Sequence, residues 1–297
     1  EIDASATSIE DVSYSNVDAY YSITAVDPQD RDSPFSEWVY IPASYRLNSL
    51  TITGEGEAFI NDEGAGRILH INREGKFIPF YIHPLRDIPM RVSKIAWMPR
   101  NELAVCNSAG NYVEFYDREG GFLRRIGEPG FEAGQLSRPM DLDFNFREQI
   151  AVADMGNKRI QIFDKQGDYL DRFGEGVLEK PVALDFAPDG DLYVLDAERK
   201  KCFRFIPGKK NKFHLENSFG NLRSPTNLLA ANNGAIYICD AAQRTILIYD
   251  RDGNLLRIVR PEPYRGFDFV DPRDVEEDEN GDVVFLDRAS SSIRPLE

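Results

Sequence analysis

The chain has few of the residues that most often carry metal or redox chemistry: its 297 residues include three histidines and three cysteines. Three cysteines are an odd number and form a poor disulfide framework. Cys106 and Cys239 occupy the same place in two repeats described below, so we interpret both as small apolar core residues, whereas Cys202 stands alone. The sequence contains no G-x-S-x-G, H-E-x-x-H, Walker or C-x-x-C-H motif. No catalytic residue is therefore predicted.

Long apolar runs and positive charge are also scarce. No stretch of 18 apolar residues occurs, so no membrane span is expected. The 35 Lys and Arg residues face 50 Asp and Glu, which gives a net charge of −15 at pH 7. An acidic surface repels phosphate backbones, which argues against nucleic acid as a partner. The hydrophobic fraction of 42% is sufficient for a packed core.

The first 46 residues are disproportionately acidic. They hold nine Asp and Glu against Arg31 and Arg46, a local charge of −7. The free cysteines favour the cytosol, whereas a start at Glu1 without Met and an acidic leading segment also suit a secreted or periplasmic protein. The compartment, and any small-molecule ligand, stay open at this point.

A repeat with a period in the forties is present. Six short β-branched-rich runs each end in an acidic or amide residue, at intervals of 45, 47, 42, 44 and 47. We call these the ladder residues: Asp62, Asn107, Asp154, Asp196, Asp240 and Asp287. Each repeat resolves into four short apolar runs separated by Gly-containing hairpin turns. This pattern predicts an all-β, six-bladed β-propeller with four-stranded antiparallel blades.

The predicted blades cover residues 47–86, 90–127, 138–174, 179–220, 223–260 and 270–297. The sixth has three clear runs, so its outer strand is expected to come from the N-terminal segment 1–46 and to close the ring. The first candidate lies within residues 18–26, at Tyr20–Val26, and the second is Glu37–Ile41.

The third repeat carries a family resemblance. Gly127-Glu-Pro-Gly130-Phe-Glu-Ala-Gly134 leads to Pro139 and then to Asp154-Met-Gly-Asn-Lys-Arg159-Ile-Gln-Ile-Phe-Asp164. This stretch resembles the NHL-repeat family of six-bladed propellers, with weaker matches in the other repeats. The resemblance covers about residues 47–297 and implies a scaffold that binds ligands or partners more often than a catalyst.

The ladder residues have two interpretations. They could form a ring of charge that binds cations or a basic partner, or each could accept backbone N–H bonds in its own turn, as Asp154 would while it also pairs with Arg159. Repetition in every blade favours the second. The main functional prediction is then a non-enzymatic scaffold that binds another protein through the loops of this face. The predicted contact residues are Asp62, Asn107, Met155, Asn157, Lys158, Glu198, Arg199, Gln243, Arg244 and Arg288.

The alternative is an extracytoplasmic Ca²⁺-dependent hydrolase or lyase with a site in the central channel. Its ligands would be Asp143, Asp185, Asn227 and Glu276, which lie on or beside innermost strands, as does Asp141. A histidine-ligated metal is not expected, because His70, His83 and His214 fall on outer strands. The main hypothesis requires no cofactor.

A third hypothesis is an RNA-binding NHL module. Residues 199–212 carry seven basic side chains with two phenylalanines among them, Phe203 and Phe205. We expect this segment to be a solvated outer edge of blade 4, since it falls away from the ladder residues.

Overall fold

The computed structural model describes residues 39–40, 46–78, 80, 82, 91–209, 212–262, 269–278 and 280–296. These residues form 24 strands in six antiparallel four-stranded sheets, so the predicted six-bladed propeller is confirmed. One short 3-10 helix, Met155–Asn157, follows β11. Within the described residues no helix is long and apolar enough to cross a membrane.

The blades follow one another along the chain. Blade 1 contains β2 (Leu47–Ile52), β3 (Ala58–Asp62), β4 (Arg67–Ile71) and β5 (Phe77–Ile78); blade 2 contains β6 (Val92–Met98), β7 (Glu102–Asn107), β8 (Tyr112–Tyr116) and β9 (Phe122–Ile126). Blade 3 contains β10 (Pro139–Phe144), β11 (Ile150–Asp154), β12 (Arg159–Phe163) and β13 (Tyr169–Phe173); blade 4 contains β14 (Pro181–Phe186), β15 (Leu192–Asp196), β16 (Lys201–Pro207) and β17 (Phe213–Phe219). Blade 5 contains β18 (Pro225–Ala230), β19 (Ile236–Asp240), β20 (Thr245–Tyr249) and β21 (Leu255–Val259). Blade 6 contains β22 (Pro272–Glu277), β23 (Val283–Asp287), β24 (Ser292–Pro295) and, from the N-terminal segment, β1 (Val39–Tyr40).

The outer position of blade 6 is held by β1, which pairs antiparallel with β24. Strand β1 lies in the second predicted segment, Glu37–Ile41, whereas the first, Tyr20–Val26, lies outside the described residues. Closure of the ring by residues 1–46 as a whole stays a prediction.

Burial explains why the middle strands are near-continuous apolar runs. Every residue of β11 and β15 is buried, because each blade packs against a neighbour on both faces. Each core cluster accordingly spans two blades; one joins Ile160 of blade 3 to Val194 and Phe205 of blade 4. The outer strand β21 is mostly exposed. All three cysteines are buried and free, and burial raises the pKa of each thiol.

The hairpins between third and fourth strands have the turn chemistry that the sequence predicts. In blade 3 the Asp164 Oδ1 accepts the backbone N–H groups of Gln166 and Asp168, both at 2.9 Å. Gly167 has φ +99°, a left-handed conformation in which a Cβ is strained. Asn72, Asp117 and Asp250 begin equivalent turns that end in Gly75, Gly120 and Gly253, each with positive φ.

The innermost strands are joined by side-chain to backbone bonds between blades. The Asp141 Oδ2 accepts the N–H of Leu184 from the next blade at 2.9 Å, and the Asp274 Oδ2 accepts the N–H of Leu50 at 2.7 Å. Such bonds stabilise the arrangement of neighbouring blades and place polar side chains along the central channel.

Candidate binding surface on the ladder face

The ladder residues anchor the loops of one face of the propeller. Each is the last residue of the second strand in its blade. Each accepts backbone N–H bonds from the segment that leads into the innermost strand, sixteen or seventeen residues earlier, as Asp240 does from Arg223 at 2.7 Å and Ser224 at 3.0 Å. The same bonding recurs for all six. Five ladder residues also accept a backbone N–H from the turn that follows them, as the turn interpretation expects, whereas Asp154 accepts the Asn157 side-chain amide there and no backbone N–H.

Asp154 shows the anchoring in its most elaborate form. Its carboxylate is fully buried and accepts the Ser137 N–H at 2.7 Å and the Asn157 amide at 2.8 Å. The Arg159 guanidinium binds it at 2.8 Å, as the sequence predicts, and the Gln161 amide at 3.0 Å. Asp154 thus joins two loops to two strands.

The turn that follows each ladder residue ends in a left-handed residue in every blade. The residue before each third strand adopts a left-handed φ between 50° and 62°: Gly66, Asn111, Lys158, Lys200, Arg244 and Ser291. A non-glycine side chain at positive φ is uncommon, and five of these six are not glycine. The anchored turns therefore present side chains from a repeated, rigid frame.

The predicted contact residues divide by exposure. Asp62, Asn107 and Met155 are buried, and Asn157, Gln243 and Arg288 are partly buried. Lys158, Glu198, Arg199 and Arg244 are exposed on the ladder face. Glu179 lies beside two of the exposed cations, at 2.5 Å from the Lys158 Nζ and 3.3 Å from the Arg199 Nη2. Of the ten predicted contact residues, these four have the most exposed side chains.

A depression at the centre of this face, which we call the basin, has a volume of about 670 Å³. Its floor comes from the second residue of every innermost strand: Asn48, Ser93, Met140, Val182, Thr226 and Arg273. At this point each innermost strand has a register irregularity against its neighbour, as between Pro139 and Leu142 in blade 3. A β-bulge turns a side chain away from the regular pleat, which accounts for six side chains facing one cavity.

Five cations line the basin: Arg91, Arg138, Lys180, Arg273 and Arg288. The sequence analysis predicted Arg288 as a contact residue and missed the other four. A signal was present in the repeat, because the residue before the innermost strand is basic in four blades: Arg46, Arg91, Arg138 and Lys180. Of the predicted contact residues, Met155 and Arg288 line the basin.

The central channel contains a buried lysine between carboxylates. The Lys94 side chain is 12% exposed, and its Nζ lies 3.0 Å from Asp274 Oδ1 and 3.1 Å from Glu276 Oε1. Burial alone would lower the Lys94 pKa, but Asp274, Glu276 and Asp141 raise it well above its usual value. Burial raises the pKa of Asp141 to about 7 and that of Glu276 to about 8, although Lys94 opposes both shifts.

A second carboxyl pair faces a cavity of about 210 Å³ at the other end of the channel. Burial raises the pKa of Asp185 well above its usual value, and the neighbouring Asp143, to which it is hydrogen-bonded, raises it further. Burial also raises the pKa of Asp143, and its hydrogen bond with Asp185 opposes that rise. Both also accept backbone bonds from the next blade, Phe186 N–H at 2.8 Å and Ala230 N–H at 2.6 Å.

The four residues of the calcium hypothesis lie at two levels of the channel. Asp143, Asp185 and Glu276 line the small cavity, whereas Asn227 lies two residues nearer the ladder face and its Oδ1 accepts the Leu228 N–H at 2.7 Å. The Lys94 ammonium lies 3.1 Å from the Glu276 Oε1 and lines the same cavity. Among the described residues no group of three or more His, Cys, Asp or Glu is arranged to hold a metal. The calcium hypothesis stays a prediction.

The histidines lie away from the channel where the structure describes them. His70 on β4 binds Glu57 at 2.9 Å and stacks on Phe59, and His214 is exposed on β17, while His83 lies outside the described residues. Three cations of the basic segment 199–212 are paired with carboxylates. Arg204 is held by Asp191 at 2.7 Å, Lys212 by Asp171 at 2.5 Å and Arg199 by Glu179, and Lys210 lies outside the described residues.

Comparisons with known proteins show the fold class. No family model matches the chain, and no curated protein matches its sequence. Among solved structures it is similar to a putative gluconolactonase (TM-score 0.67, 15% identity, 88% of this chain and 92% of that one). It is also similar to a catalytically inactive virginiamycin B lyase from Staphylococcus aureus (0.65, 14%, 88% and 84%). The WD40 propeller domain of Doa1 matches as well (0.61, 14%, 84% and 78%).

The chain is therefore a six-bladed β-propeller. Its neighbours include enzymes and a WD40 domain, and at these identities they establish the architecture alone.

Proposed function

We propose that this propeller is a non-enzymatic scaffold of the NHL type that binds another protein through its ladder face. The observation that carries the proposal is the combination of buried anchors and varied exposed side chains on that face. Buried Asp154, Asp196 and Asp240 fix the loops, while Lys158, Glu198, Arg199 and Arg244 project from turns of repeated geometry. Rigid presentation of variable loops is the arrangement that recognition proteins use.

The channel carboxylates have a structural explanation that does not require catalysis. Perturbed carboxyl pKa values occur both at active sites and in buried ion-pair networks. Here Asp141, Asp143, Asp185 and Asp274 each accept a backbone N–H from a neighbouring blade, and the Lys94 ammonium lies 3.0 Å from Asp274. These carboxylates therefore stabilise the contacts between neighbouring blades.

The test compares partner capture by two double alanine variants of exposed side chains. Lys158→Ala/Arg199→Ala removes two exposed ladder-face cations, and Glu74→Ala/Lys76→Ala removes an exposed ion pair from a turn at the opposite end of the strands. Both replace surface side chains, which contribute about 0–1 kcal/mol to stability, so both variants should fold. Partners are captured from the native source, identified by mass spectrometry and re-measured as purified pairs.

The proposal expects the ladder-face variant to weaken the purified pair at least tenfold and the opposite-face variant to leave it within twofold. Equal binding by both variants, or loss only with the opposite-face variant, would place recognition elsewhere.

A further inference from the structure

The lining of the ladder-face basin is rich in positively charged side chains. We propose that it binds a stretch of Asp and Glu side chains on the partner protein, an inference that rests on the proposed function and names the chemistry of the partner. The basin is defined by the 670 Å³ depression and its lining residues.

The local charge of the basin is opposite to that of the protein. Five cations line it, and the carboxylates that contact them are Glu63, 3.5 Å from Arg91, and Asp271, 2.8 Å from both Arg273 and Arg288. Three positive charges therefore stand in excess, within a chain whose net charge is −15. A concave site of one sign focuses its field and attracts the opposite charge.

Arg138 and Lys180 are the two cations best placed to bind an incoming carboxylate. Both are exposed, and among the described residues neither has a carboxylate within 4.0 Å. Their backbones are fixed: the Arg138 N–H donates to Asn111 Oδ1 at 2.7 Å, and the Lys180 N–H to Asp196 Oδ2 at 2.9 Å. Because the backbones are already fixed, binding of an anion has to order only the two side chains.

The backbone conformation of Arg138 also indicates that this residue is held in position to bind a carboxylate. Arg138 has φ +51°, a left-handed conformation that costs a non-glycine residue energy and persists where surrounding contacts impose it. Asn111, whose side chain holds the Arg138 N–H, also lines the basin. The contacts that impose this backbone conformation therefore hold Arg138 at the edge of the basin.

The floor of the basin suits a peptide better than a bare ion. Met140, Met155 and Val182 place flexible and apolar surface between the cations. Methionine adapts to irregular surfaces, and the aliphatic stems of Glu side chains would pack there while their carboxylates reach the rim. The volume lies in the range of about 300–1,000 Å³ that is usual for specific binding sites.

The experiment uses two variants with the same change in net charge. Arg138→Glu/Lys180→Glu reverses the basin, and the matched control, Lys209→Glu/Arg257→Glu, reverses two exposed cations remote from it. Binding is followed by fluorescence anisotropy with a labelled ten-residue peptide of alternating Glu and Ala, and with its Gln counterpart.

The expected result is saturable binding of the Glu peptide and none of the Gln peptide. Affinity should fall at least tenfold in the basin variant and less than twofold in the control. It should also weaken as salt rises from 50 to 300 mM, because exposed charges are screened.

Equal loss in the two variants would show a general field effect and overturn the inference, as would absence of Glu-peptide binding. Competition by micromolar citrate or inorganic phosphate would also overturn it, since the basin would then select a small anion. The proposed function has a separate readout: a partner that is lost with Lys158→Ala/Arg199→Ala but retained by the basin variant leaves the scaffold function standing and removes only this inference.

Discussion

Replacement of the channel lysine tests whether the buried carboxylates depend on it. Lys94→Met keeps the length of the side chain and removes the ammonium that lies 3.0 Å from Asp274 and 3.1 Å from Glu276. The Asp274 side chain is 1% exposed, so its carboxylate would lose its cation without gaining water. Removing one partner of a buried ion pair costs about 3–5 kcal/mol. For a propeller of this length that loss lowers the melting temperature by about 6–9 °C.

The measurement is urea unfolding at pH 8.5 and pH 5.5, followed through tryptophan fluorescence; of the two tryptophans in the chain, Trp97 lines the channel cavity. At the lower pH the unpaired carboxyls take up protons, so the penalty should be smaller. Lys94→Met/Glu276→Gln should recover part of the loss at pH 8.5, because the site then no longer contains a buried carboxyl that ionises as the pH rises. The control, Lys76→Met, removes an exposed lysine 3.0 Å from Glu74 and should cost less than about 1 kcal/mol.

The reasoning about Lys94 would be refuted by a variant that unfolds within 1 kcal/mol of the wild-type protein at pH 8.5, taken as a conservative threshold about a third of the expected loss. An equal penalty at both pH values would also refute it, because the cost would then come from packing and not from charge.

Three further predictions follow from buried groups and turns. Asp154→Ala should lower the free energy of unfolding by about 3–5 kcal/mol, because the buried Arg159 loses its carboxylate partner, and Asp154→Asn should lower it by less. Gly167→Ala should lower the melting temperature more than Gly234→Ala: both have positive φ, but a Cβ at Gly167 would lie 2.2 Å from Ile126 and one at Gly234 meets nothing within 4 Å. Stability should fall as pH rises from about 5 to about 8, because the folded state keeps the Glu276 proton that the unfolded chain releases; a rise in melting temperature over that range would contradict this.

The sequence was sufficient to predict the fold because the pattern is local and repeated. Each ladder residue ends a second strand, and each Asp/Asn-x-x-Gly turn closes a hairpin. Both features depend on residues that are close together in the chain, so the sequence alone predicts them. Lys94 was not found in this way, because its partners Asp274 and Glu276 are about 180 residues away and meet it only when the ring is assembled. The basin was missed for a similar reason: its floor depends on bulges, which the alternation of apolar residues does not reveal.

The position of Asp271 leads to a last prediction about the basin. Its carboxylate lies 2.8 Å from Arg273 and 2.8 Å from Arg288, while its backbone N–H donates to Asp287 at 2.7 Å. Asp271→Asn keeps the backbone anchor and frees one more positive charge for a ligand. Glu-peptide affinity should then rise about threefold, the effect of one exposed ion pair. Weaker binding would show instead that Asp271 is needed to orient the two guanidinium groups, and unchanged binding would show that the acidic segment contacts Arg138 and Lys180 without reaching blade 6.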